Sequence, residues 1–153
     1  MYNTTTADPK VVQKIIDKCD TCYLAMADEN GMPYVLPFNF GYDGQFIYLH
    51  SGPEGKKIDI LKKNNKVSLA FSTDHQLFHR HETVACSYGM KFRSVVVCGT
   101  VEFITDYDRK IEVLNKVMLK YTGKEFSYNA PAVNNVAAFI VHIESATAKE
   151  LGY

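Results

Sequence analysis

Apolar residues recur along this chain with two different periods. Val11, Val12, Ile15, Ile16 and Cys19 fall at i, i+1, i+4, i+5 and i+8, one face of a helix. Asp8–Pro9 just ahead supplies a cap and a proline at the first helical position. Ile111, Leu114, Val117 and Met118 repeat the helical spacing behind a second capping residue, Asp106. Ile58, Ile60 and Leu61, set among polar residues, predict a short helix over 56–64. The remaining apolar runs have strand length: TCYLAMA (21–27), PYVLPFNFGY (33–42), QFIYLH (45–50), KVSLAFS (66–72), MKFRSVVVCGTVEFI (90–104) and VAAFIVHIES (136–145). Asp28–Gly31 reads as a turn and Asp43–Gly44 as a hairpin. DHQLFHRHETVACSYG (74–89) and residues 123–135 read as loops.

Six strands and three helices follow. Most strands are joined by tight turns or short links, which favours antiparallel pairing. Close spacing of six strands favours a closed or partly closed barrel with helices over its ends or seams. Pro37 cannot donate to a ladder, so its strand has a free edge or a bulge. Gly99 marks a bulge or bend in the longest strand. There is no internal repeat, and residues 1–153 read as a single domain.

Composition and charge narrow the partners. The chain is 46% hydrophobic, enough for a core, and its 17 basic residues balance 17 acidic ones. Without a net positive field it is a poor general binder of nucleic acid or anionic membrane, so an anion would need a local constellation. No apolar run approaches the roughly 18–20 residues of a membrane helix. The N-terminus has no signal-peptide pattern, and four cysteines in a chain of this size do not suggest a disulfide framework. The expectation is a reduced, cytoplasmic protein.

Cys19 and Cys22 form C-D-T-C, but Cys86 and Cys98 are isolated, so a structural zinc site lacks its second pair and core cysteines are expected. His75, His79 and His81 could bind a metal, or could simply be solvated beside Arg80; no metal site is assigned. No Ser-His-Asp arrangement or GxSxG elbow supports a hydrolase. The richest stretch is LHSGPEGKKIDIL (49–61), where a strand ends in His50 and a glycine-bounded turn leads into Lys56, Lys57 and a helix. Helix N-termini carry unpaired N–H groups and partial positive charge, which favour phosphate. The glycine spacing is not that of a triphosphate-binding loop. Pattern alone leaves a phosphate site and a solvated turn both open.

The blocks PYVLPFNFGYDGQFIYLHSGPEGKKIDIL (33–61), KVSLAF (66–71) and MKFRSVVVCGTVEFI (90–104) resemble the FMN-binding split-barrel family related to pyridoxamine 5′-phosphate oxidase, in its NimA-like, 5-nitroimidazole-resistance branch. The resemblance runs from about residue 8 to 150. It implies a six-stranded antiparallel split β-barrel with flanking helices, working as a homodimer with FMN (FAD as the alternative) at the interface. It also implies the site residues. Gly55, Lys56 and Lys57 would cradle the phosphate, with His50 and Ser51 beneath the flavin. Pro37, Phe38 and Asn39 would meet the isoalloxazine, and Ser94 and Val95 would flank the ring or ribityl chain. His50 is the implied catalytic residue, passing protons to a small-molecule electron acceptor. The implied activity is an FMN-dependent oxidoreductase, with nitro-compound reduction as its specific form. A non-catalytic flavin-binding or sensing module and a haem-binding split barrel are the alternatives. The arginine–histidine segment of pyridoxamine-phosphate oxidase itself has no match in the terminal ATAKELGY.

Overall fold

In the computed structural model, which describes residues 1–153, the chain opens with a short strand, β1 (Asn3–Thr6), and helix α1 (Pro9–Lys18). Asp8 caps α1 by accepting from the Lys10 N–H at 2.9 Å. Strands β2 (Cys22–Ala27) and β3 (Pro33–Phe38) form a hairpin across the Asp28–Gly31 turn. A two-residue strand, β4 (Gly41–Tyr42), turns back into β5 (Phe46–Ser51), which leads to helix α2 (Lys56–Lys63). Two long strands follow, β6 (Lys66–Phe78) and β7 (Gly89–Ile104). Helix α3 (Tyr107–Thr122), capped by Asp106, and the short α4 (Ala130–Asn134) precede the last strand, β8 (Ala137–Leu151).

All neighbouring strands are antiparallel, in the order β3-β2-β6-β7-β8-β5-β4, with β1 alongside the far end of β8. The sheet curls but does not close: its two ends, β3 and β4, are not hydrogen-bonded to each other, although only Asn39 and Phe40 separate them in the chain. The barrel is therefore split along one seam. Its interior holds Leu24, Phe40, Leu49, Phe71, Val97 and Phe139, with Val12, Ile15 and Ile16 of α1 entering the same cluster. Each such side chain taken fully out of water contributes on the order of 1.5–3 kcal/mol before ordering costs.

Eight strands and four helices replace the six and three expected. The polar β1 is stabilised by its pairing with β8. The run 33–42 breaks at Asn39–Phe40 into β3 and β4. β6 continues past an irregularity between Thr73 and Gln76 to Phe78, so His75 lies in a strand rather than a loop. β8 runs on to Leu151, and α4 forms inside the expected 123–135 loop. Gly99 is at a bulge as expected; a Cβ there would sit 2.2 Å from the His142 carbonyl oxygen. Gly41 lets α3 approach closely, since a Cβ would lie 2.6 Å from the Lys116 backbone.

Candidate functional site

The seam opens into a groove of about 380 Å³ lined by Leu36, Pro37, Phe38 and Asn39 on one side and His50, Ser51 and Lys57 on the other. Each wall follows from its sequence. β3 pairs only with β2, so Pro37 lies on an edge strand, where its missing N–H costs no ladder bond. Phe38 turns inward and meets Phe139 edge-on at 6.0 Å, which anchors that wall to the core. On the opposite wall β5 is bonded to β8, with His50 beside Ala138 and Ser51 beside Ala137.

Polar groups at this groove are short of partners. The His50 imidazole is half-buried and makes no hydrogen bond within the protein, and the Asn39 amide is equally free. Burial pushes the His50 pKa below its usual 6.5, so the ring is mainly neutral at neutral pH, with one donor and one acceptor nitrogen. Ser51 Oγ donates to the Gly52 carbonyl at 2.9 Å.

The turn between β5 and α2 ends at Gly55, whose φ of +123° and ψ of 176° are a glycine conformation. No side chain caps α2. Its first helical hydrogen bond runs from Asp59 N to Gly55 O at 3.1 Å, which leaves the N–H groups of Lys56, Lys57 and Ile58 ahead of it. Neither Lys56 nor Lys57 has a carboxylate partner. The two differ in placement: Lys57 is half-buried in the groove wall, whereas Lys56 Nζ lies 4.5 Å from the centre of the Tyr34 ring.

Seven of the ten residues singled out from the sequence thus line the groove or shape its helix start: Pro37, Phe38, Asn39, His50, Ser51, Gly55 and Lys57. Lys56 flanks it. Ser94 and Val95 do not line it: Val95 is fully buried in the core, and Ser94 pairs with Ser72 and Lys149 in mid-sheet. Leu36, two residues back from Phe38 on the same face of β3, also lines the groove, and the period-two spacing points to it.

The other sequence candidates separate. All four cysteines are free; Cys19 and Cys22 are core residues, and burial pushes the Cys22 thiol up to about 12. The three histidines diverge, His75 to Ser72 Oγ at 2.6 Å, His79 onto the Tyr88 ring at 4.7 Å, and His81 into backbone contacts with Ser87. No group of three or more His, Cys, Asp or Glu side chains is arranged to hold a metal. No helix is long and apolar enough to cross a membrane.

An antiparallel sheet curled around a buried core and split along a seam with an open helix start at its mouth defines the molecule as a split β-barrel. Residues 8–150 match the family described as Pyridoxamine 5′-phosphate oxidase, and the chain belongs to that family. Among solved structures it is similar to a candidate 5-nitroimidazole antibiotic resistance protein from Bacteroides thetaiotaomicron, with 41% identity and a TM-score of 0.86 over 97% of this chain and 87% of that one. An FAD-binding protein from Mesorhizobium loti shares 25% identity at a TM-score of 0.71, covering 99% of this chain and 100% of that chain. The flavocytochrome Anf3 from Azotobacter vinelandii shares the fold, with 23% identity, a TM-score of 0.81, and 97% and 70% coverage. A search of curated proteins gives no match.

Proposed function

We propose that this protein binds FMN in the seam groove and acts as a flavin-dependent oxidoreductase on a small electron acceptor, with a nitroaromatic such as a 5-nitroimidazole as the specific substrate class. One observation carries the reading: the uncapped, lysine-bearing start of α2 opens beside a groove that also holds an unpartnered amide and an unpartnered imidazole. The residues fit the group. A groove of about 380 Å³ is within the usual range for small-molecule sites, with an apolar wall at Leu36–Phe38 and polar groups at its ends. The N–H groups of α2 and Lys57 would hold the phosphate, with Lys56 swinging from Tyr34 to join them. Similarity to an FAD-binding protein makes FAD the alternative cofactor to test.

The flavin, when bound, supplies electron transfer; the chain supplies position and protons. The Asn39 amide can hydrogen-bond a polar ring edge. His50, mainly neutral at rest, is a stronger acid than free imidazole once protonated, so it can deliver a proton to an acceptor and be reset by solvent. No carboxylate lines the groove, which makes His50 its one acid–base side chain near neutral pH. The same observation favours a second reading, a flavin-binding or sensing module without turnover.

A homodimer belongs to the proposal. On the outer sheet face Pro37, Tyr23, Ala70 and Val96 form one cross-strand row, all exposed and uncharged. A second copy covering this face would bring Ser94, which lies one step along it, toward the partner's groove. Val96→Glu is expected to convert the dimer to monomer in sedimentation. The four free thiols suit a reduced, cytoplasmic setting.

The decisive experiment is the absorbance spectrum of the purified protein, with mass spectrometry of what it releases. FMN in the released fraction supports the reading. Protein that is colourless, and stays so after incubation with FMN and gel filtration, refutes it. Fast reoxidation of the reduced protein by a nitroimidazole under anaerobic stopped flow separates the oxidoreductase from the module without turnover.

A further inference from the structure

Behind the β5–α2 turn lies a second cavity, of about 340 Å³, that shares no lining residue with the seam groove. Its walls are Ile58, Phe103, Ile104, Val136, Ala137 and Ala138, drawn from α2, the end of β7 and the start of β8. Two side chains in the lining are charged, and both are cationic: Lys62 on α2 and Lys110 on α3. Neither makes a salt bridge, although Lys110 is half-buried. The other charged grooves are different. The one beneath α3 is lined by Asp17 and Asp43 as well as Lys116 and Lys120, and the one adjoining at Ile104 balances Arg109 and His142 against Glu102 and Glu112.

We propose that this second cavity binds a small amphipathic anion, a carboxylate on a compact aromatic or branched apolar body. The apolar floor takes the body, and Lys62 and Lys110 hold the carboxylate from two helices. Charge-assisted hydrogen bonds of this kind are the stronger ones, and apolar walls with a few fixed polar groups are the usual make-up of a ligand site. The acidic groups Glu102 and Glu112 beyond Ile104 limit the anion's length, since a longer one would carry its charge toward them. Neither lysine lines the seam groove, although Ile58 in the cavity wall belongs to the α2 start assigned to the flavin phosphate.

The test uses the full chain as purified, titrated with naphthalene-2-carboxylate and, separately, with its uncharged carboxamide. Binding is read by calorimetry and by methyl NMR of Ile58, Ile104, Val136 and Ala138. Saturable binding of the acid is expected, with shifts at those methyls, at least tenfold weaker binding of the amide, and a similar loss in Lys62→Ala/Lys110→Ala. Lys62→Gln/Lys110→Gln, which keeps most of each side chain and its polarity but removes the charge, should show the same loss while its thermal midpoint stays unchanged. Equal affinity for acid and amide overturns the proposal. So does unchanged affinity in the variants, shifts at Leu36 in place of these methyls, or no saturation at millimolar ligand. Since the readout needs no flavin, failure here and failure of the flavin reading are distinguishable.

Discussion

At the start of α1, Asp8 accepts the Lys10 N–H at 2.9 Å; at the start of α2 stands Gly55, with no side chain to offer and two lysines immediately after it. The helices α3 and α4 follow α1, through Asp106 and Asn129. Three helix starts are closed by an oxygen of the chain's own, and one is left open. Positive side chains at that open end also oppose the helix dipole, which by itself costs a few tenths of a kcal/mol. The open, lysine-bearing start beside a groove is the one on which the proposed phosphate site rests; the other three are closed by the chain itself.

The contrast can be broken most forcefully at the lysines. Lys56→Ala/Lys57→Ala is expected to weaken FMN binding by tenfold or more, from charge-assisted contacts of about 1.5–3 kcal/mol. Riboflavin, which lacks the phosphate, should bind the variant and the parent alike. Fluorescence titration with both ligands checks this, and equal loss for the two would remove the phosphate from α2. Next in size is Gly55→Ala. The backbone there has φ +123°, so a side chain costs about 1–3 kcal/mol of folding stability although open space surrounds the Cβ. Chemical denaturation measures the loss, and FMN affinity should fall with it.

The counterpart on the closed side is smaller. Asp8→Ala removes a cap and is expected to cost about 1 kcal/mol, a fall of roughly 2–4 °C in Tm for a domain of this size. FMN affinity should not change; a change would mean that α1 and α2 are not separable in role. The smallest effect is a pH dependence at His50. Burial lowers its pKa in the folded state, so the unfolded chain binds the proton more readily. Stability from this group is therefore complete above about pH 6.5 and declines as pH falls through the lowered folded value. His50→Gln should flatten that decline in denaturation curves recorded between neutral and mildly acidic pH.

Much of this architecture was legible where period and chemistry agree. Val12, Ile15 and Ile16 mark α1, Asp8 and Asp106 mark helix starts, and Gly99 marks the bulge. What stayed hidden depends on partners distant in sequence. β1 reads NTTT, without an apolar residue, and exists because Thr4, Thr5 and Thr6 pair with Glu150, Lys149 and Ala148 across the sheet. The extension of β6 through DHQLF is too polar to announce itself, and Asp74, at φ +56°, interrupts the ladder in the middle of it. The 33–42 run divides because Phe40 is drawn into the core between two strands, which alternation within the run does not reveal.

The site divides on the same lines. His50, Gly55 and Lys57 are neighbours in sequence and stay neighbours in space, so a local motif found them. Asn39 and Pro37 come from a different strand, and family resemblance rather than spacing linked them to that motif. Ser94 and Val95 were linked in the same way, and here geometry decides. Period two along β7 sends Val95 and Val97 inward and leaves Ser94 on the opposite face. Within one chain Ser94 does not reach the groove.

The seam itself has a mechanical consequence. Elsewhere around the sheet, adjoining strands are coupled by rows of hydrogen bonds, which resist separation stiffly and together. Between β3 and β4 the link is two residues, Asn39 and Phe40; Phe40 is buried in the core, its N–H donates to the Tyr121 phenolic oxygen of α3 at 3.2 Å, and that hydroxyl donates to the Asp20 carbonyl at 2.6 Å. Spacing between the two walls of the groove is set there by core packing, Phe38 on Phe139 included, rather than by a ladder. A molecule reaching from Asn39 to His50 would supply, between these two walls, the cross-link that the missing β3–β4 ladder does not.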